Sequence, residues 1–306
     1  MARYAILSDI HANLEALEAV LAHAAGKQVN DIWFLGDVVM YGPNPNECIV
    51  RLREAIGVDK WPGTAVVGNN DQALVKNVKP EEVSEQLGIK LTDKAMVYRN
   101  ATTVCHRWTA KALTDESRQL LAQVGPGPRN VLANGILVHA SPCEATGMNG
   151  DYLTNLMEAE EGFWCLRQRG NDLAFFGHTH MATLFKETRT DRRYQNCEMV
   201  RREQLTGLEF PLDGQRMLIN PGSVGQPRDG DSRAAYAILD EGSGLVRFHR
   251  VDYLRQRTLQ KLAQMEDEFA QEWAQMKRES KDKGEGMPVT AKQIVEALQS
   301  RLIDAR

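Results

Sequence analysis

Gly177-His178-Thr179-His180 places two imidazoles two residues apart, directly after the apolar run Leu173-Ala174-Phe175-Phe176. Imidazole nitrogen suits zinc, manganese, iron, cobalt and nickel, so the pair could hold a metal. Solvent-facing loop histidines would look the same, and a short His-x-His motif does not decide between the two. Asp9-Ile10-His11, Gly36-Asp37, Gly68-Asn69-Asn70-Asp71 and His139 add weight, because each also follows a short apolar run. Together Asp9, His11, Asp37, Asn69, His139, His178 and His180 offer four imidazoles, two carboxylates and one amide. That is too many donors for one tetrahedral ion. It suits two ions sharing one carboxylate. Two metals about 3.5–4 Å apart can clamp a phosphate and activate a bridging water as nucleophile.

Such donors have to be held by strand ends. Residues 4–8, 32–35, 64–67, 136–138 and 172–176 are continuous apolar runs, the pattern of strands covered on both faces. In open α/β sheets ligands bind at the C-terminal ends of strands. After the first run, Leu14, Leu17, Val20 and Leu21 recur at helical spacing. After the breaker-rich loop Tyr41-Gly42-Pro43-Asn44-Pro45, so do Ile49, Leu52 and Ile56. Residues 72–130 read as mostly helical through Leu74, Val83, Leu87, Met96, Val97, Trp108, Leu113, Leu120 and Leu121. Asp115 and Glu116, following Thr114, fit a helix first turn. Residues 147–150 read as a loop, with a helix through Leu153, Leu156 and Met157 after it. Short strands fill 183–250, with a hairpin turn at Asp240-Glu241-Gly242-Ser243-Gly244 and an irregular loop over 220–228. Residues 253–281 read as one charged amphipathic helix and 281–286 as a linker. Thr290-x-x-Gln293 is a capping box for a last helix carrying Ile294, Leu298 and Leu302. An amphipathic tail of this kind is a packing or oligomerisation element rather than a catalytic one.

The totals exclude several classes. At 42% hydrophobic and 25% charged the chain reads as globular,. A net charge of -4 and a pI of about 6.0 give no basic field, so long nucleic acid is disfavoured as a partner. Five cysteines with no CxxC argue against a disulfide framework or a zinc knuckle,. Reduced thiols in the cytoplasm are the expectation. The N-terminal apolar run is too short for a signal peptide, and no apolar stretch reaches membrane-spanning length.

The ordered set Asp9-Ile10-His11, Gly36-Asp37, Gly68-Asn69-Asn70-Asp71, His139 and Gly177-His178-Thr179-His180 resembles the calcineurin-like metallophosphoesterases. The likeness covers roughly residues 3–250. Asp9-Ile10-His11-Ala12-Asn13-Leu14-Glu15-Ala16-Leu17, Tyr41-Gly42-Pro43 and the 220–228 loop resemble a bacterial and archaeal subgroup of small phosphodiesterase-like members. Periodicity alone does not separate a doubly wound sheet from a sandwich. The resemblance implies an α/β (α+β) fold in which a two-sheet β-sandwich is flanked by helices. The domain would span 1–252, and a helical extension over 253–306 would pack on the core or mediate homo-oligomers. One ion would sit on Asp9, His11 and His180, the other on Asn69, His139 and His178, with Asp37 bridging. The two divalent ions could be manganese, iron, zinc, nickel, cobalt or magnesium, with manganese the expected activator in vitro. The expected reaction is hydrolysis of a phosphodiester or phosphoanhydride bond in a small phosphate ester or nucleotide, by attack of a metal-bridging hydroxide.

One position departs from the family pattern. Many members carry a histidine where this chain has Asn70, and that histidine is taken to protonate the leaving group. An amide can donate a hydrogen bond but cannot deliver a proton near neutral pH. The expectation is a preference for esters or anhydrides whose leaving groups are already acidic. Arg228 is either a phosphate clamp, since guanidinium matches phosphate bidentately, or a surface arginine in a polar loop. Tyr41 and Asn13 are weaker candidates of the same sort, and His106 reads as a satisfied core or surface histidine. The alternative function is a catalytically impaired metal-binding scaffold of the same fold. Asn70 and the long tail favour it, and the full set of seven donors argues against it.

Overall fold

The computed structural model describes residues 2–78, 93–143, 152–188, 197–201, 205–279 and 290–303. The helical positions Val83 and Leu87, the 147–150 loop and the 281–286 linker lie outside these residues.

Two sheets pack face to face. The first holds, in spatial order, β2 (Asp31–Phe34), β1 (Arg3–Leu7), β10 (Ala234–Asp240), β11 (Leu245–Val251) and β8 (Glu209–Pro211). The second holds β3 (Arg129–Val131), β4 (Gly135–Leu137), β5 (Leu173–Phe175), β9 (Met217–Asn220), β6 (Thr183–Glu187) and β7 (Cys197–Arg201). β1 runs parallel to β2, and β5 runs parallel to both β4 and β9.

Side chains alternate across each strand, and both faces are covered. Ile6, Trp33, Leu173, Phe175, Met217, Ile219, Ala237 and Leu239 fill the space between the sheets. Ala5, Leu7, Ile32, Phe34, Tyr236 and Ile238 face outward from the first sheet. They share a core with residues of α1 (Leu14–Gly26) and α2 (Pro45–Ile56). Ala174, Phe176 and Leu218 face outward from the second sheet, onto Phe163 and Leu166 of α6 (Leu156–Arg169). That double burial is why the strands read as unbroken apolar runs. The architecture is the helix-flanked sandwich. The helices α3 (Asn69–Val75), α4 (Asp93–Ala112) and α5 (Asp115–Gln123) continue the helical side.

Local chemistry sets the element ends. Asn13 caps α1, its Oδ1 accepting from Ala16 N, and Thr114 caps α5 by accepting from Ser117 N,. Thr290 and Gln293 form the expected reciprocal box. The run at 64–67 differs from expectation. It makes only a single bridge, Phe34 to Ala65, because Val67 N donates instead to Gly125 O and Ala65 O accepts from Arg129 Nε.

The expected single helix over 253–281 is two helices, α7 (Arg255–Gln264) and α8 (Glu266–Glu279). They part at Met265, whose N–H turns back to Leu262 and Ala263 carbonyls. Leu262, Phe269, Ile294, Leu298 and Leu302 join the same core as Leu17 and Val20, Ile294 to Leu302 coming from α9 (Ala291–Ile303). Full burial of such side chains stabilises by about 1.5–3 kcal/mol each.

The cysteine expectation is overturned at one pair. Cys143 and Cys165 form a disulfide, with Cα atoms 5.3 Å apart. Counting cysteines misses it, because the fold, not the spacing, brings the loop after β4 against α6. Cys48, Cys105 and Cys197 are free and buried. Among the described residues no helix is long and apolar enough to cross a membrane.

Candidate metal centre

The parallel strands of both sheets point their C-terminal ends at one place. Asp9 and His11 follow β1, Asp37 follows β2, His139 follows β4, and His178 and His180 follow β5, while Asn69 opens α3. The chain must turn sharply to aim these side chains inward. Asp9, His11, Asp37, His178 and His180 all have positive φ, between 50° and 64°. Each such non-glycine residue costs about 1–3 kcal/mol and persists only where its surroundings force it.

Those surroundings can be named. The Asp71 carboxylate, at the start of α3, accepts from the backbone N–H groups of Asp37, Val38, Val39 and Gly68 at 2.8–3.2 Å. Asp9 N donates to Gly36 O and His11 N to Asp37 O, tying the two ligand loops together. From the other side the 220–228 loop closes in. Val224 N and Gly225 N donate to Ser8 O and Asp9 O. Ser223 Oγ also donates to Asp9 O, at 2.7 Å. Asn220 Nδ2 donates to Gly177 O and to Thr179 Oγ1. Arg228 N reaches His180 O. Asp229, paired with the buried Arg250, accepts from Ala182 N at 3.1 Å.

Two clusters of donors result. Asp9, His11 and His180 form one, and Asp37, His139 and His178 the other, with the ligand atoms of each cluster within 4.8 Å of one another. His11, His139 and His180 each donate Nδ1–H to a backbone carbonyl, of Val39, Leu35 and Gln226 respectively. That leaves each Nε2 with its lone pair facing inward. His11 Nε2 and His180 Nε2 lie 3.1 Å apart. Two lone pairs at that distance repel unless a cation lies beside both. Asp9 Oδ1 is 3.4 Å from His180 Nε2 and is buried with no hydrogen-bond partner. An orphaned buried carboxylate oxygen is costly, so this donor set fits a cation. In the second cluster Asn69 Oδ1 is 3.1 Å from His139 Nε2. Asp37 Oδ2 lies between the clusters, 3.6 Å from His139 Nε2 and 3.8 Å from His11 Nε2.

Burial sets the protonation. It pulls His11 down to about 4 and His178 down to about 3, and holds His180 well below its ordinary value. All three are neutral at pH 7, as metal ligands must be. Burial would raise Asp37, but His139, His11, His178 and the bond from Asn70 outweigh it and keep the carboxylate below its usual range. Burial pushes Asp9 up to about 7, with Asp37 adding to the rise, a shift that a bound cation would reverse. Asp71 is also pushed up to about 7 by burial and by Asp37, against its backbone donors.

The remaining sequence candidates separate. Asn70 is buried beside Asp37. Its N–H and its side-chain Nδ2 both donate to Asp37, at 2.9 and 2.6 Å. Asn13 is a structural cap, fully buried and donating to Gly225 O, so it is no phosphate ligand. His106 is buried in α4 and belongs to neither cluster. Tyr41 packs edge-on against His11, with centroids 4.8 Å apart. Arg228 Nη2 donates to Gln226 Oε1, and burial, then the nearby Arg301, lowers its pKa. Sequence reasoning gave no role to Asp71, Ser8, Gln226 or Tyr152. Asp71 had a local signal, an acid three residues after Gly68 at a helix start. Ser8, whose Oγ donates to Asp9 Oδ2 at 2.6 Å, adjoins the first motif. Tyr152, stacked on His178 at 4.3 Å, had no signal.

Residues 3–148 match the calcineurin-like phosphoesterase superfamily domain. A metallophosphoesterase from Sphaerobacter thermophilus is 31% identical, the match covering 100% of this chain and 99% of that one, with a TM-score of 0.70. A hypothetical protein from Pyrococcus horikoshii OT3 shares the fold at 17% identity and a TM-score of 0.61, over 90% of this chain and 97% of its own. An uncharacterized protein of Methanocaldococcus jannaschii is 29% identical over 266 residues, 84% of this chain and 90% of its own length.

Proposed function

The chain belongs to the calcineurin-like metallophosphoesterase superfamily, and from that membership we propose that it is a dinuclear-metal phosphodiesterase or phosphoanhydride hydrolase acting on small phosphate esters or nucleotides. The observation that carries the reading is the place of Asp37 Oδ2 between two clusters of inward-facing imidazoles. Asp9, His11 and His180 would hold one divalent ion, Asn69, His139 and His178 the other, and Asp37 would bridge. When bound, such a pair activates water and offsets charge on the phosphoryl oxygens; manganese is the proposed activator.

The chain's own residues supply the rest. The Nδ1–H bonds to carbonyls fix each imidazole's tautomer and aim. Asp71 holds the loop that carries Asp37. Arg228 Nε and Gln226 Nε2 are buried donors with no acceptor, and they support a phosphate clamp at the rim. Asn70 cannot hand a proton to the leaving group, so good leaving groups are favoured.

Hydrolysis of mono- and bis-p-nitrophenyl phosphate, with and without manganese, tests the proposal. The expected result is turnover of the diester only when divalent metal is added. Two bound metals with no turnover of any ester would favour the scaffold reading instead. Across a leaving-group series a steep dependence on leaving-group pKa supports the role given to Asn70, and a flat one overturns it.

A further inference from the structure

The far end of the chain comes back to the metal centre. Arg301, on α9, lies with its guanidinium 5.6 Å from the centroid of Tyr41 and 4.8 Å from that of Tyr98. Tyr41 is the ring packed on the metal-cluster residue His11, so Arg301 stands one aromatic ring away from the donors. This placement is built. Tyr41 has positive φ, 66°, a strained state for a bulky residue, and its N–H is tied to Cys105 Sγ at 3.1 Å. Tyr98 OH lies 2.9 Å from Ser300 Oγ on α9, which fixes the second ring beneath the guanidinium. Neither Arg301 nor Arg228 has a carboxylate partner among the described residues. Arg228 meets only the neutral Gln226 oxygen, and its Nε and Gln226 Nε2 lack acceptors. Tyr152 stacks on His178.

Arg301, on the ring beside His11, and Arg228, bonded to the His180 backbone, are half-buried guanidinium groups that repel each other. Asp9 attracts Arg228, but burial and the nearby Arg301 outweigh it, and Asp9 belongs to a metal cluster rather than pairing with the guanidinium. An anion between the two guanidinium groups removes the repulsion and fills the empty donors. We propose that Arg301 extends the Arg228 phosphate clamp into a second anion subsite at the mouth of the metal centre, so that the C-terminal helix selects substrates carrying another phosphate besides the one that reacts. This rests on the phosphoesterase reading for which phosphate reacts, but not for the binding itself. The substrate class is a nucleoside bisphosphate or polyphosphate ester, with tyrosine rings able to flank its base.

The test is calorimetric binding of adenosine 3′,5′-bisphosphate and of AMP to the full chain, with and without manganese, in the wild type, R301Q and R301K. The wild type is expected to prefer the bisphosphate by about tenfold or more, the scale of a charge-assisted contact. R301Q should bring the ratio near one with AMP affinity little changed, and R301K should keep part of the preference. Equal wild-type affinities overturn the proposal. So does an R301Q ratio like that of the wild type, or an equal fall for both ligands, which marks Arg301 as a mere anchor for α9. If R301Q fails to fold, the wild-type ratio and R301K decide. Loss of manganese dependence would sink the metal centre and leave the ratio to judge Arg301.

Discussion

Asn70 donates its side-chain amide to Asp37 Oδ2 at 2.6 Å, so the residue at the general-acid position instead steadies the carboxylate between the two clusters. Replacing Asn70 with histidine should raise turnover of alkyl phosphodiesters by up to about 10²-fold and leave nitrophenyl esters nearly unchanged. Steady-state kinetics on both ester types check this, and equal effects on the two would contradict it. Asp71 acts one step further out. Asp71→Asn replaces an acceptor of four backbone N–H groups with an amide that can supply only one oxygen. It should cost about 10–100-fold in metal affinity, the usual scale for groups that orient ligands, as read by metal titration. Proton release gives a third check. Asp9, raised to about 7, is protonated below that pH and must lose the proton to bind a cation. The histidines of both clusters that burial keeps neutral release none. Manganese affinity should therefore weaken as pH falls from 7 toward 5, by up to about tenfold per pH unit. Metal titration at each pH measures it, and an affinity unchanged between pH 7 and pH 5 would contradict the assignment.

At the scale of elements, the site is a set of loops clamped by one another. Gly225 shows how tightly. A Cβ there would fall 1.8 Å from Ile10 O, a backbone atom that cannot swing aside. Gly225→Ala should destabilise by about 1–3 kcal/mol or more and lower metal affinity with it, as thermal unfolding and metal titration would show. The five spaced motifs were legible in the sequence because strand, polar end and helix recur locally. The 220–228 loop was visible only as irregular chain. Its work, bonding Ser8, Asp9 and His180 backbone, depends on partners some 40 to 200 residues away. The tail was legible as amphipathic helix but not as two helices. The break at Met265 serves the packing of Met265 and Phe269 into the shared core, a tertiary demand with no local marker. Arg301 was one basic residue among many until α9 was placed over Tyr41.

At the scale of the molecule, apolar runs covered on both faces fit a sandwich as well as a doubly wound sheet, so only the pairing of β1 with β10 and of β5 with β9 settles the two-sheet arrangement. We propose that residues 253–306 act as an extension of the 1–252 domain, closing its helical side. Away from the metal centre, His249 is held down to about 4 by burial, then by His23 and Lys27. A base depressed below its unfolded value contributes stability above about pH 6.5 that is lost as pH falls toward 4. His249→Gln should flatten the fall in thermal stability between pH 7 and pH 5, measured on chelator-treated protein. Two ions sharing Asp37 fix the manganese stoichiometry that chelator-stripped protein reaches at equilibrium. The wild type should bind two ions per chain and Asp37→Asn fewer; one ion or none in the wild type would contradict a shared carboxylate.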